Sequence, residues 1–473
     1  MLNTLKKFIF NGRLFNDNGD EWPVLVYLEY DKYDPSVLNC TATIENYNSS
    51  SDYSRRLNSY LRIMGELPTP VLVKSAGYSR LSFYSQHRVA VTLNVNEICF
   101  GPMNDVPFST GEYTYLIALI SAPSVKVDDI SERSYLGTIA SKRSEDDSIS
   151  WDSDLGKIRI ANYFEFDDGE VGIEKASIKI ERTMLGISNS FATKINIGES
   201  FSRVENEISS ILTILSLINR RHVHWYRLEA TYFNTAEPRD YCSSEKRRKL
   251  SLYKPSRHGP LFHQSELKND LLLDLIKAYR KSPLSKTIER AIMYLAGSYE
   301  LDRLEAKILV AYSALEAIVN QLNSRDNIVK CLSDKHFDKL IRTFKAELQT
   351  FYERDVVDKQ AFYVEDIKDK LLEIKIRPLK NRIVDVIQRY KIDCWDIWDL
   401  DKVDIKTAIQ SIIRRRNKLI HDPENVDPDF LYADLVRVRA LCERIILSEL
   451  GFNDYDRFHP TAYNELHSIR KSL

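Results

Sequence analysis

The segment DIKTAIQSIIRRRNKLIHDPENVDPD (404–429) carries the most informative set of chemically competent side chains in the chain. On a helix turning about 100° per residue, Ile405, Ile409, Ile412, Ile413 and Ile420 fall on one apolar stripe, with Arg416 near its middle. A guanidinium buried without a partner is costly, so this placement calls for an explanation. One explanation is structural: an ion pair with a glutamate across a bundle, or a long side chain reaching out to solvent. The other is chemical: a planar, permanently charged group kept there for a task other than packing. Beside the stripe, Gln410, Arg414, Asn417 and His421 recur at steps of four, three and four residues and form a polar ridge. His421 ends that ridge, because Pro423 disfavours helical geometry at Asp422. An imidazole there sits at the negative end of the helix dipole, which favours its protonated form.

Weaker signals lie elsewhere. Glu316 flanks the apolar stripe of Leu304, Ile308, Tyr312, Leu315 and Val319, where it either pairs with Arg416 or faces solvent. Arg414 and Arg415 are read as an ordinary basic helix face or as contacts to an anionic ligand. His222 and His224 in RRHVHWY share one face of a strand-like run, but no nearby cluster supplies further metal ligands. The run EKRRKLSLYKPSRHGP (245–260) mixes cations with tyrosine, a composition that suits a single-stranded backbone. It reads more simply as a solvated interdomain linker. There is no Gly-rich phosphate loop, GxSxG elbow or HExxH, so P-loop nucleotidase and zinc-protease chemistry are not expected.

The elements that must position these groups change character near residue 200. Before it, PVLVYLEY (23–30), CTATIE (40–45), HRVAVTLNV (87–95), YTYLIALI (113–120), KIRIANYFEF (157–166) and ASIKIERT (176–183) read as strands, with NG, DNGD, STGE and DDGE as turn signals. A twisted sheet, sandwich or distorted barrel follows. Glu199 to Asn219 reads as an amphipathic helix and VHWYRLEATYF (223–233) as a further strand. Beyond Ser265 the pattern is helical, with helices expected over 266–281, 286–299, 301–322, 335–352, 363–390, 403–421 and 428–449. Asp427-Pro428 reads as a helix start and Gly451 as a stop.

The bulk composition bounds the rest. A length of 473 residues exceeds what one core usually organises. The formal net charge of −1 removes any whole-chain attraction to nucleic acid, leaving local patches as the only source. Six scattered cysteines without a CxxC pair suit reduced thiols, and no apolar run approaches the roughly 18 residues of a membrane span. A soluble, cytoplasmic protein that binds no metal and no membrane is expected.

Arg416-Asn417-Lys418-Leu419-Ile420-His421 matches R-N-x-x-x-H, a form of the R-x(4–6)-H signature of HEPN ribonucleases. The segment AKILVAYSALEAIVNQL (306–322) looks like the second bundle helix of the ApeA-like subgroup, and the order of a strand-rich half and a helical half resembles that family's layout. The likeness spans about 284–450. It implies an α+β chain in four parts: a β-rich recognition or regulatory domain (1–235), a basic linker with a lead-in helix (236–283), an all-α HEPN bundle (284–450, with a helical insertion at about 323–402) and a tail (451–473). It further implies a metal-independent endoribonuclease without cofactors, built as a homodimer or higher even-numbered oligomer. Arg416, Asn417 and His421 would be catalytic, Glu316 supporting, and Arg414, Arg415 and Lys418 would bind RNA. The implied setting is bacterial anti-phage defence by abortive infection, with RNA (tRNA among the candidates) as substrate and a phage-derived trigger as a candidate partner. Two rivals stand: a non-catalytic HEPN-fold binding or dimerisation module, and a HEPN toxin neutralised by a separate partner.

Overall fold

The computed structural model describes residues 5–31, 36–45, 60–67, 70–85, 88–101, 105–108, 113–120, 149–153, 156–165, 173–183, 193–233, 241–250, 260–262, 271–326, 333–355, 366–367, 376–398, 404–421, 426–454 and 466. Contacts divide the chain into two compact units. The first comprises Met1–Leu215, Val223–Pro255 and Gln264–Leu273; the second comprises Ser216–His222, Ser256–His263 and Asp274–Leu473.

The first unit is built on strands whose residues alternate between core and solvent. In β2 (Glu21–Asp31), Trp22, Val24, Val26, Leu28 and Tyr30 are buried while their neighbours face outward. β3 (Leu38–Glu45) repeats this with Leu38, Cys40, Ala42 and Ile44. Period-two patterning of this kind fixes register, because a slip of one residue would turn the whole set outward. β1 (Leu5–Asn16) pairs antiparallel with β2 and with β4 (Leu61–Glu66), and β4 pairs with β5 (Pro70–Ser85). β6 (Arg88–Phe100) pairs with β5 along its length and, through Arg88–Leu93, with β3. This last pairing closes a six-stranded antiparallel barrel around Leu14, Val26, Leu28, Leu61, Ile63, Val73, Val91 and Ile98.

The NG pair at 11–12, a turn signal in the sequence, lies inside β1. Gly12 stands opposite Gly65 of β4. A Cβ on Gly12 would come within 2.8 Å of the Met64 carbonyl oxygen, and one on Gly65 would run into the Phe10 ring. The glycines let two backbones approach, and the chain does not turn.

The second half of β6 continues the sheet outward. Its Glu97–Phe100 stretch pairs with β14 (Tyr241–Arg248), and the order proceeds through β13 (Trp225–Phe233), β8 (Tyr113–Ile120), β11 (Ile173–Thr183) and β10 (Gly156–Glu165) to β9 (Ile149–Ser153). β7 (Asp105–Phe108) and β12 (Thr193–Asn196) pair separately. Glu245–Arg248, at the start of the run read as a linker, form the end of β14; residues 251–259 of that run lie outside the described residues. His222 and His224 precede β13 and are not on it.

Helix α1 (Ile197–Asn219) closes the first unit and leads into the second. The helical unit then contains α2 (Leu272–Lys281), α3 (Ser285–Glu300), α4 (Leu304–Arg325), α5 (Asp334–Asp355), α6 (Leu379–Tyr390), α7 (Ile405–His421) and α8 (Pro428–Glu449). α8 is its axis, buried at nearly every position from Leu431 to Ser448 and packed against α4, α6 and α3. Its start is fixed by Asp427, which accepts from the Asp429 amide, with Pro428 in the first turn. Gly451, at φ +82°, follows its end.

Within the stretch expected as a helix over 363–390, residues 366–367 are helical and α6 runs from Leu379, with Pro378 at its N-cap in extended geometry; 363–365 and 368–375 lie outside the described residues. The segment 379–398, within the expected insertion, packs on the bundle. Ile383, Val384, Val386 and Ile387 of α6 are buried against the bundle, as are Cys394, Ile397 and Trp398 after it. Arg444 of α8 holds that segment by donating to Asp396 at 2.7 Å and to the Asp393 carbonyl.

A buried polar knot ties the unit together. Arg220 donates two hydrogen bonds of 2.8 Å to Glu443, and the Tyr299 hydroxyl donates a third at 2.7 Å. Glu443 is 2% exposed. Nearby, the His222 ring contacts Glu300 through Nδ1 at 2.6 Å and the Met293 carbonyl through Nε2 at 2.9 Å.

Candidate functional site

α7 begins at Asp404, whose carboxylate accepts from the amides of Lys406 and Thr407 at 3.1 and 3.2 Å. Ala408, Ile409, Ile412 and Leu419 are its buried face. Ile420 is 46% exposed and leaves the expected stripe. The seam runs 409, 412, 416, 419 at steps of three and four, so Arg416 takes a core-facing position and Ile420 is rotated off it.

The two neighbouring arginines have different tasks. Arg415 donates to both oxygens of Asp434 at 2.5 and 2.7 Å, and its guanidinium lies 5.6 Å from the Phe430 ring centre. Asp434 is fully buried and also pairs with Arg437 at 3.3 Å. Arg415 is thus engaged by a buried carboxylate.

Arg416 is held loosely. Its side chain is 29% exposed, its one ion pair among the described residues is with Glu316 at a long 3.8 Å, and it reaches Asn417 Oδ1 at 3.1 Å. The guanidinium sits 5.2 Å from the centre of the Tyr312 ring. Its Nε is buried without a hydrogen-bond partner. The same is true of the Tyr312 hydroxyl and of Nε of Arg382 on α6. Burial, then the Glu316 charge, pushes the Tyr312 phenol well above its ordinary value, against the opposing pull of Arg416. Burial lowers the Arg382 guanidinium, with Glu316 and Tyr312 acting in the other direction. Arg382 also donates to Asn320. α4, α6 and α7 therefore bring together two arginines, a tyrosine and one glutamate, leaving three donor groups unsatisfied. Buried donors without acceptors are rare in folded proteins. Any hydrogen-bond acceptor, an oxyanion among them, would satisfy such donors.

Arg414, Asn417, Lys418 and His421 are exposed along the outer side of α7. His421 is not in the cluster: five residues on from Arg416, it is rotated about 140° around the helix and displaced about 7.5 Å along it. Sequence reasoning found Arg416, Asn417 and Glu316 but missed Arg382 and Tyr312. Tyr312 was hidden in an apolar stripe, although its spacing of four from Glu316 signals a shared helix face. Arg382 was hidden in a stretch read as an insertion. Among the described residues no group of three or more His, Cys, Asp or Glu is placed to hold a metal ion, and no helix is long and apolar enough to cross a membrane.

Comparison with family models, curated proteins and solved structures finds no match to this chain.

Proposed function

We propose that the helical unit is a HEPN-type endoribonuclease that works as a homodimer without metal, in bacterial defence against phage by abortive infection. The observation that carries the reading is the set of unsatisfied donors around Arg416, which is suited to a phosphate of the RNA backbone. His421 removes the proton from a ribose 2′-hydroxyl, whose oxygen attacks phosphorus. The 5′-oxygen leaves with a proton taken from solvent, to which His421 returns its own, giving a 2′,3′-cyclic phosphate end and a 5′-hydroxyl end. Arg416 and Arg382 neutralise charge on the phosphoryl oxygens, Asn417 orients the Arg416 guanidinium, and Glu316 restrains it from the opposite side. The angle of about 140° between Arg416 and His421 around α7 is why a dimer is required. One copy cannot present both groups to the same phosphate, whereas two α7 helices facing each other across a twofold axis can.

A second reading, a non-catalytic HEPN-fold module, draws support from the Glu316 pair and the Tyr312 contact, which give Arg416 a packing role. Purified full-length chain is incubated with RNA in the presence of EDTA. Cleavage that leaves cyclic phosphate ends, requires the 2′-hydroxyl and falls about 100- to 1,000-fold in Arg416→Ala and His421→Ala supports the nuclease. Identical RNA profiles for all three proteins would replace it with the binding module. Growth arrest on expressing the full-length chain alone would place its control in a separate partner and not in the β-rich unit.

A further inference from the structure

The first unit contains a cavity of about 390 Å³ whose walls include Tyr60, Lys74, Glu97, His224, Arg248 and Lys249. Three adjacent strands build it. Lys74 of β5 and Arg248 of β14 stand directly opposite Glu97 of β6, one on each side, so a cation–carboxylate–cation row crosses the sheet. Glu97 accepts from Lys74 at 2.9 Å and pairs with Lys246 and Arg248 at 3.4 Å each. Glu205 of α1 pairs with Lys246 at 2.7 Å and Arg248 at 3.1 Å. The Arg248 guanidinium lies 3.9 Å from the Trp225 ring centre, which fixes its plane.

Among the described residues the charges do not cancel. Lys74, Lys246, Arg248 and Lys249 face two carboxylates, and the Lys249 ammonium donates to a neutral acceptor, the Leu38 carbonyl at 3.1 Å. Among these residues two positive charges are in surplus at one concave site, with Lys246 behind its wall, in a chain whose formal net charge is −1. Arg248 uses Nε on Glu97 and Nη2 on Glu205, so its Nη1 remains available, and its side chain is 42% exposed. Tyr60 adds a ring that is 46% exposed at the rim. The volume of about 390 Å³ falls within the range of about 300–1,000 Å³ typical of small-ligand sites, and the site is open on one side. A groove that tracks a nucleic-acid strand is longer.

The geometry points to a binding site for a nucleoside monophosphate in the β-rich unit, with Lys74, Arg248 and Lys249 on the phosphate and Tyr60 against the base. It is a separate site from the arginine cluster on α7 and does not depend on the nuclease reading.

Equilibrium dialysis of the full-length protein against each of the four radiolabelled nucleoside 5′-monophosphates tests the assignment. Saturable binding of at least one is expected, with displacement by inorganic phosphate, weakening as salt rises, and no binding of the corresponding nucleoside. Arg248→Gln and Lys249→Gln, checked for unchanged melting temperature, are each expected to weaken binding about tenfold, the loss of one charge-assisted contact. Three results would overturn the assignment: no saturable binding of any monophosphate, equal binding of the uncharged nucleoside, or retention of an RNA oligomer but of no mononucleotide. The nucleoside comparison uses only wild-type protein, so the test stands even if a substituted chain misfolds.

Discussion

Replacing Arg415 and Arg416 by alanine, one at a time, separates a stabilising arginine from a chemical one at adjacent positions. Arg415→Ala removes two short hydrogen bonds from Asp434, a fully buried carboxylate. Breaking a buried pair by removing one partner costs about 3–5 kcal/mol. Arg437 remains 3.3 Å from Asp434 and recovers part of that, leaving about 2–3 kcal/mol. For a unit of this size the melting temperature then falls by about 5–10 °C. Arg416→Ala removes a pair at 3.8 Å between side chains 29% and 34% exposed. Its Coulomb energy is at most about 4 kcal/mol at an effective dielectric of about 20, and exposed pairs retain about 0–1 kcal/mol after screening and ordering. Contact with Tyr312 adds about 0.5 kcal/mol, offset by release of a buried, unsatisfied Nε. The net change is below about 1 kcal/mol, a shift of at most about 3 °C. Thermal unfolding followed by circular dichroism, run beside the RNA cleavage assay, gives both axes. Arg415→Ala is expected to lose stability and keep cleavage at temperatures where it is folded; Arg416→Ala is expected to keep stability and lose cleavage. If Arg416→Ala melts as low as Arg415→Ala, Arg416 is a packing residue and the chemical reading of the seam fails.

Three further outcomes are expected. Burial raises the Glu97 carboxyl, but the Lys74 hydrogen bond and the charges of Lys246, Lys74 and Arg248 outweigh it and hold the group below its ordinary value. Its stabilising contribution is therefore complete above the unfolded value of about 4.3 and is lost as pH falls through the lower folded value; Glu97→Gln should flatten an acid titration of tryptophan fluorescence in that window, and an unchanged titration counts against it. Gly65→Ala drives a methyl into the Phe10 ring and should destabilise the barrel by about 1–3 kcal/mol, read as a lower urea midpoint; a neutral effect would show that β1 and β4 can separate freely. Burial pushes the thiols of Cys40, Cys99 and Cys394 up to about 12, so none should be alkylated by iodoacetamide at neutral pH until denaturant is added; mass spectrometry of labelled peptides checks this.

The strands with clean alternation, such as β2 and β3, were legible because one face is core and the other solvent. β1 and β5 were not. β1 carries an Asn-Gly pair that serves close backbone approach, and β5 (PVLVKSAGYSRLSFYS) breaks its alternation with bulges where register to β6 shifts. Glu245–Arg248 look like a solvated charge run because the sequence does not show what neutralises them. In the sheet, Glu97, Glu205 and the Trp225 and Tyr30 rings take those cations. At α7 the core-facing arginine was readable from period alone. The partners that leave it under-satisfied come from α4 and α6, more than 30 positions distant, and no local pattern announces them.

The division of the chain into interleaved segments has a practical side. Ser216–His222 belong to the helical unit although the next 33 residues, Val223–Pro255, return to the strands. A fragment begun at residue 284 would lack Arg220 and His222, stranding Glu443 in the interior with only Tyr299 donating to it and depriving Glu300 of its imidazole. Any truncated version meant to isolate the helices must therefore carry a seven-residue graft from far upstream, or it will expose a defect of the surgeon's own making and report on that.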